Sequence, residues 1–198
     1  MALIVTVSRE YGAGGRTIAK GLSEKLGIPW YDRDFVKYTA EASGYSEEDI
    51  FEEGEELTES ARFLDTILNN MSAYTSSHDA IFQAQKEAIL ALAKEPCILV
   101  GRCSNKILQE AGIKSFDIFL HADKQIRIQR CIDKAQDTVK NMEKYVDRKD
   151  ELRRNYYKKY TKDEISQAQD YTVCLDTGMV DYDTCIDVLA AMIQSANQ

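Results

Sequence analysis

Short apolar runs separated by long amphipathic stretches dominate the chain. Leu3 to Val7 is apolar, rich in β-branched residues and bounded by polar ones, the pattern of a strand buried on both faces in a parallel sheet. Ile28 to Tyr31, Cys97 to Val100, Phe116 to Leu120 and Tyr171 to Leu175 repeat it. Between the first two runs, Ile18, Ala19, Leu22 and Leu26 share one face of a helix that Gly27 stops. The pattern is helical from Asp34 to Ala93 around an acidic, loop-rich middle near Gly54, with a later helix expected from His78 to Lys94. Asp181 to Ser195 reads as a closing helix. Strands alternating with segments long enough for crossovers predict an α/β fold, with helices on both faces of a five-stranded parallel sheet in a three-layer α/β/α arrangement.

Composition adds boundaries to this picture. A chain of 198 residues with 44% apolar and 29% charged residues is ordinary globular sequence, and neither a repeat nor a low-complexity linker divides it, so residues 1–198 are expected to form one domain. The net charge of −8 and pI near 4.9 argue against nucleic-acid or membrane-surface partners, which require a positive field. Charge is nevertheless uneven. Acids crowd Glu47 to Glu59, a solvated surface, whereas Lys and Arg crowd Lys124 to Lys162, leaving room for a local basic site. Cys97, Cys103, Cys131, Cys174 and Cys185 form no C-x-x-C pair, and His78 and His121 offer no zinc spacing, so reduced thiols are expected. The first residues show neither a positive leader with an apolar stretch nor a membrane span, and the protein is expected in the cytoplasm. Nothing in the sequence sets the oligomeric state.

The candidate chemistry begins after the first strand, at Tyr11-Gly12-Ala13-Gly14-Gly15-Arg16-Thr17. A glycine cluster between a buried strand and a helix lets backbone N–H groups converge on an anion, and the helix dipole favours phosphate there. The segment is an imperfect form of G-x-x-x-x-G-K-[ST], in which the lysine reaches the outer phosphates and the hydroxyl holds magnesium. Two registers are open. In one, Arg16 takes the lysine's place and Thr17 the metal hydroxyl's, with Glu10 at the first glycine. In the other, Gly12 and Gly14 match loop glycines and Gly15 stands at the lysine position. Gly12-Ala13-Gly14 also begins a dinucleotide fingerprint, with Asp32 or Asp34 downstream, but Thr17 replaces its third glycine. A purely structural glycine turn is the third possibility.

Phosphoryl transfer asks the protein for positive groups that neutralise the moving phosphoryl and hold donor and acceptor in line. Arg102 follows a buried strand and Gly101, at the carboxyl end of the sheet where ligands bind in open α/β folds. Arg127 and Arg130 share one side of a helix, and Arg148, Arg153 and Arg154 lie on a mixed-sign helix beside Tyr156 and Tyr157, which read as packing residues. For Arg127 and Arg130 the competing reading is a solvated helix face, and for Asp32 a helix N-cap.

Taken together, Ser8-Arg9-Glu10-Tyr11-Gly12-Ala13-Gly14-Gly15-Arg16, Gly27-Ile28-Pro29-Trp30-Tyr31-Asp32, Val100-Gly101-Arg102-Cys103, Ile118-Phe119-Leu120-His121-Ala122, Asp170-Tyr171 and Leu175-Asp176-Thr177 resemble the cytidylate kinase-like family nearly end to end. The resemblance implies a P-loop nucleoside monophosphate kinase fold with a core at about 1–36, 84–126 and 162–198, an acceptor-binding insertion at about 37–83 and a lid at about 127–161. It implies transfer of the γ-phosphoryl of ATP, with Mg²⁺, onto CMP or dCMP as the small-molecule nucleotide partner. Gly12, Ala13, Gly14, Gly15, Arg16 and Thr17 would then cradle the donor, with Thr17 on the metal. Arg16, Arg127, Arg130 and Arg153 would act on the phosphoryl group, and Asp32, Arg102 and Arg154 on the acceptor. The chain departs from the family pattern at three places: the loop lysine is absent, Cys103 replaces the acid of G-R-D, and His121 replaces an aspartate. An anion-binding protein without turnover, or a kinase of another small acceptor, would share the same loop.

Overall fold

The structure, a computed structural model, describes residues 3–32, 77–134 and 139–196. Most of the expected acceptor-binding insertion therefore lies outside the described residues. Five strands, β1 (Ile4–Arg9), β2 (Trp30–Tyr31), β3 (Cys97–Val100), β4 (Phe116–His121) and β5 (Val173–Asp176), form one parallel sheet in the order β2-β3-β1-β4-β5. Six helices accompany it among the described residues: α1 (Gly15–Leu26), α2 (Ser77–Leu92), α3 (Ser104–Glu110), α4 (Lys124–Lys134), α5 (Met142–Thr161) and α6 (Tyr182–Ala196). The expected α/β/α architecture is present.

Two apolar layers account for the continuous hydrophobic runs. Val5 and Val7 of β1, with Ile98 and Val100 of β3, pack under Ile18 and Leu22 of α1 and Leu189 and Ile193 of α6. Alternate residues Ile4, Cys97 and Leu99 face the other way, against Ile89 of α2, Ile107 and Leu108 of α3 and Tyr157 of α5. A strand covered on both faces has no polar side to show. Strand β2 is shorter than Ile28 to Tyr31 because it pairs with β3 alone, through Trp30 and Tyr31, and Pro29 contributes only its carbonyl, to the Ile98 N–H at 2.9 Å.

The strand order fixes where a ligand can sit. The chain leaves β1 for β2 and β3 on one side, then crosses to β4 and β5 on the other. The carboxyl end of β1 is thus the switch point, where the loops that follow neighbouring strands diverge and open a crevice. No helix among the described residues is long and apolar enough to cross a membrane, and all five cysteines are free.

Candidate active site

At that switch point the backbone enters the left-handed region twice, at Gly12 (φ 80°) and Gly14 (φ 85°), before α1 begins at Gly15. Both positions exclude a side chain. A Cβ on Gly12 would stand 2.8 Å from the Arg127 carbonyl oxygen, and one on Gly14 would stand 2.6 Å from Cζ of the Tyr182 ring. The first bond within α1 runs from the Ile18 N–H to the Gly14 carbonyl. The N–H groups of Gly12, Gly14, Gly15, Arg16 and Thr17 consequently have no partner among the described residues. They form a row of donors at a positive helix end.

The loop's other polar groups are tied down from behind. Arg127, 6% exposed, donates to the Tyr11 carbonyl at 3.0 Å and the Ala122 carbonyl at 3.0 Å, and pairs with Asp150 at 2.6 Å and Glu10 at 3.2 Å. Asp150, on α5, also accepts from the Tyr11 N–H at 2.7 Å. Arg130 donates to the Thr177 hydroxyl and carbonyl at 3.1 and 2.6 Å and lies over the Tyr182 ring, and the Thr177 hydroxyl donates to the Ala13 carbonyl at 2.9 Å. Carbonyls that would repel an anion are drawn away, and the amides are left facing forward.

The remaining arginines take separate places. Arg16 pairs through Nε with Asp32, at the end of β2, and Arg9 reaches the same carboxylate at 3.4 Å. Arg153 donates to the Arg9 carbonyl at 3.4 Å and lies 5.1 Å over the Tyr11 ring, which also meets Tyr145 edge-on. Burial pushes the Tyr11 phenol well above its usual range, helped by its bond to Tyr145. Arg154 is exposed on α5. Thr17 is exposed in the first turn of α1, its hydroxyl 3.5 Å from Lys134 Nζ.

After β3 the backbone again turns left-handed, at Gly101 (φ 81°), Arg102 (φ 59°) and Cys103 (φ 57°). Two successive non-glycine residues in this region carry real strain, on the order of 1–2 kcal/mol each. The Arg102 guanidinium lies beside the Tyr156 hydroxyl. That hydroxyl in turn donates to Gln85 of α2 at 2.5 Å, and α2 and α5 meet further along, where Phe82 stacks on Tyr160. Cys103 is buried, and desolvation pushes its thiol up to about 12.

The structure thus gathers the 12–17 loop, Asp32, Arg102, Arg127, Arg130 and Arg153 around one end of the sheet. It also recruits residues to which the sequence reading gave no role in the site: Asp150 and Thr177, which brace the loop, and Arg9, whose stem lies over Gly15. The Asp150 partnership spans 23 residues and two helices, so no local pattern announces it.

Comparison with known proteins bears on the family and the fold. The family model described as the cytidylate kinase-like family matches residues 4–179. A cytidylate kinase of Archaeoglobus fulgidus is 22% identical over 191 residues, covering 96% of this chain and 94% of the relative. A solved structure from Eubacterium ventriosum superposes with a TM-score of 0.69 at 23% identity, over 98% of this chain and 99% of the other. The shikimate kinase of Bacteroides thetaiotaomicron gives 0.59 at 13% identity, over 97% and 98%. At these identities the structural likenesses speak for the fold.

Proposed function

The chain belongs to the cytidylate kinase-like family, and from that premise we propose that it transfers the γ-phosphoryl of ATP to a nucleoside monophosphate, CMP or dCMP first among them. The observation that carries the reading is the set of amides at Gly12, Gly14, Gly15, Arg16 and Thr17, without partners among the described residues, at the switch point of the sheet. Such donors suit phosphate oxygens and need no reorganisation as charge develops.

The helix start favours the register with Gly14 as the last loop glycine and Gly15 at the lysine position, since Gly14 is the left-handed cap and Gly15 the first helical residue. In this arrangement the Arg16 amide belongs to the cradle while its guanidinium orders Asp32. Arg127 and Arg130 act by holding the Tyr11 and Ala13 carbonyls off the phosphates, and Arg153 and Arg154 belong to the lid. Arg102, at the strained turn after β3, meets the acceptor's phosphate. An acceptor phosphate oxygen then bonds to the γ-phosphorus as the bond to the β,γ-bridging oxygen breaks, giving ADP and a nucleoside diphosphate.

The residues present fit Mg²⁺ carried in with the nucleotide: Thr17 offers an exposed hard oxygen, and Mg²⁺ prefers substrate phosphates and retained waters to an all-protein cage. When bound it supplies charge neutralisation on the phosphate oxygens. Asp32 belongs to the acceptor side.

A coupled ADP-release assay across all nucleoside monophosphates tests the reading. CMP or dCMP is expected to give the fastest release, and no release with any acceptor would overturn it. The glycine at the lysine position favours one second reading, nucleotide binding without turnover; its signature in that assay is ATP-dependent thermal stabilisation with no ADP.

A further inference from the structure

The loop has lost its lysine, but the space a lysine would need is filled. A Cβ placed on Gly15 would stand 2.9 Å from Cγ of Arg9, 3.2 Å from its Cδ and 3.4 Å from its Cβ. The stem of Arg9 therefore lies directly over residue 15. Its guanidinium continues to the turn after β3, where a Cβ on Gly101 would stand 3.1 Å from Arg9 Cζ, with Nη1 closer still. A side chain at 15 would meet the stem of this path, and one at 101 its terminal guanidinium. The side chain is 13% exposed, oriented at its far end by Asp32, and its backbone carbonyl is held by Arg153.

Arg9 is the last residue of β1, one strand over from β3. Its side chain runs from the donor loop, with the stem over Gly15, to the Arg102 turn, with the guanidinium against Gly101. Arg9 shares the Asp32 carboxylate with Arg16, while Arg127 pairs with Asp150 and Arg130 with Thr177. From this packing we propose that Arg9 supplies the phosphate-facing charge that residue 15 gave up, and that arginine at 9 with glycine at 15 and 101 is one exchanged unit. This assignment rests on the phosphotransferase reading and deepens it. A guanidinium can bind two phosphate oxygens at once, which an ammonium on a flexible stem cannot.

An exchange experiment tests it in the full chain, with ATP affinity by calorimetry and transfer rate by ADP release. Arg9→Ala is expected to lower kcat/KM about 100-fold or more and to weaken ATP more than adenosine. Gly15→Lys alone is expected to gain nothing, because its stem meets Arg9. The double variant Arg9→Ala/Gly15→Lys is expected to recover at least roughly tenfold over Arg9→Ala, as the vacated space admits the lysine. A residue that only props the turn would not be rescued by a lysine at 15. A folded Arg9→Ala with undiminished ATP affinity and rate, or a double variant no better than Arg9→Ala, overturns the assignment. If Arg9→Ala does not fold, Arg9→Lys carries the test: transfer falling more than about tenfold with melting unchanged supports the guanidinium's role, and unchanged transfer overturns it. Wild-type protein that binds ATP through Arg9 but releases no ADP would sink the kinase reading and leave Arg9 assigned. Turnover indifferent to Arg9 would do the reverse, and wild-type protein that binds no ATP would end both.

Discussion

The two turns at the carboxyl edge of the sheet reach left-handed backbone by opposite means. After β1, glycines take the positive φ values at 12 and 14, because ring, thiol and carbonyl atoms crowd where side chains would stand. After β3, Gly101 opens the turn at φ 81°, but Arg102 and Cys103 carry it on at an energetic cost. The difference shows what each turn presents: the first offers its amides and needs no side chain, whereas the second exists to aim one. Strain is tolerated where a particular side chain must point into the crevice, and glycine is used where backbone must approach a ligand.

Breaking the support of the first turn should have the largest effect. Arg127→Met leaves the buried Asp150 carboxylate without its cation and is expected to cost about 3–5 kcal/mol in denaturant unfolding, whereas Arg127→Met/Asp150→Leu should cost less than the single change. Next comes the turn itself. Gly14→Ala adds a Cβ against the Tyr182 ring at φ 85° and should cost about 2–4 kcal/mol while abolishing ATP-dependent thermal stabilisation. The second turn should behave in the opposite way: Arg102→Gly relieves about 1 kcal/mol of strain, offsetting its lost contacts, so melting should move little while acceptor-dependent ADP release collapses.

The smallest effect is in pH. Burial raises the Cys97 and Cys103 thiols from 9.0 to about 11 and about 12, so the folded state holds protons that the unfolded chain releases. Their contribution is fully present below pH 9 and is lost as pH climbs toward 11–12. Melting should fall by about 5 °C between pH 9 and 11, and Cys103→Ala should flatten part of that slope at the second turn.

Much of this was legible in the sequence. Cys97–Val100 is a strand with the expected bounds, and α1, α2 and α6 fall close to their predicted stretches, because burial on two faces or one stripe leaves a strong pattern. The glycine loop was legible for the same reason, as glycines are needed only where backbone must bend. Which arginines face the crevice was not. Arg127 and Arg130 looked like phosphate ligands but turn inward, since their partners, Asp150 and Thr177, arrive from distant segments. Arg9 entered only as part of the family motif, and three-dimensional packing shows that its stem covers Gly15.

Amide chemical shifts during titration with ATP and Mg²⁺ report whether the loop amides hold the donor's phosphates. The largest downfield movements should fall on Gly12, Gly14, Gly15, Arg16 and Thr17, and saturate together. Saturable binding that leaves these five amides unmoved would contradict the account.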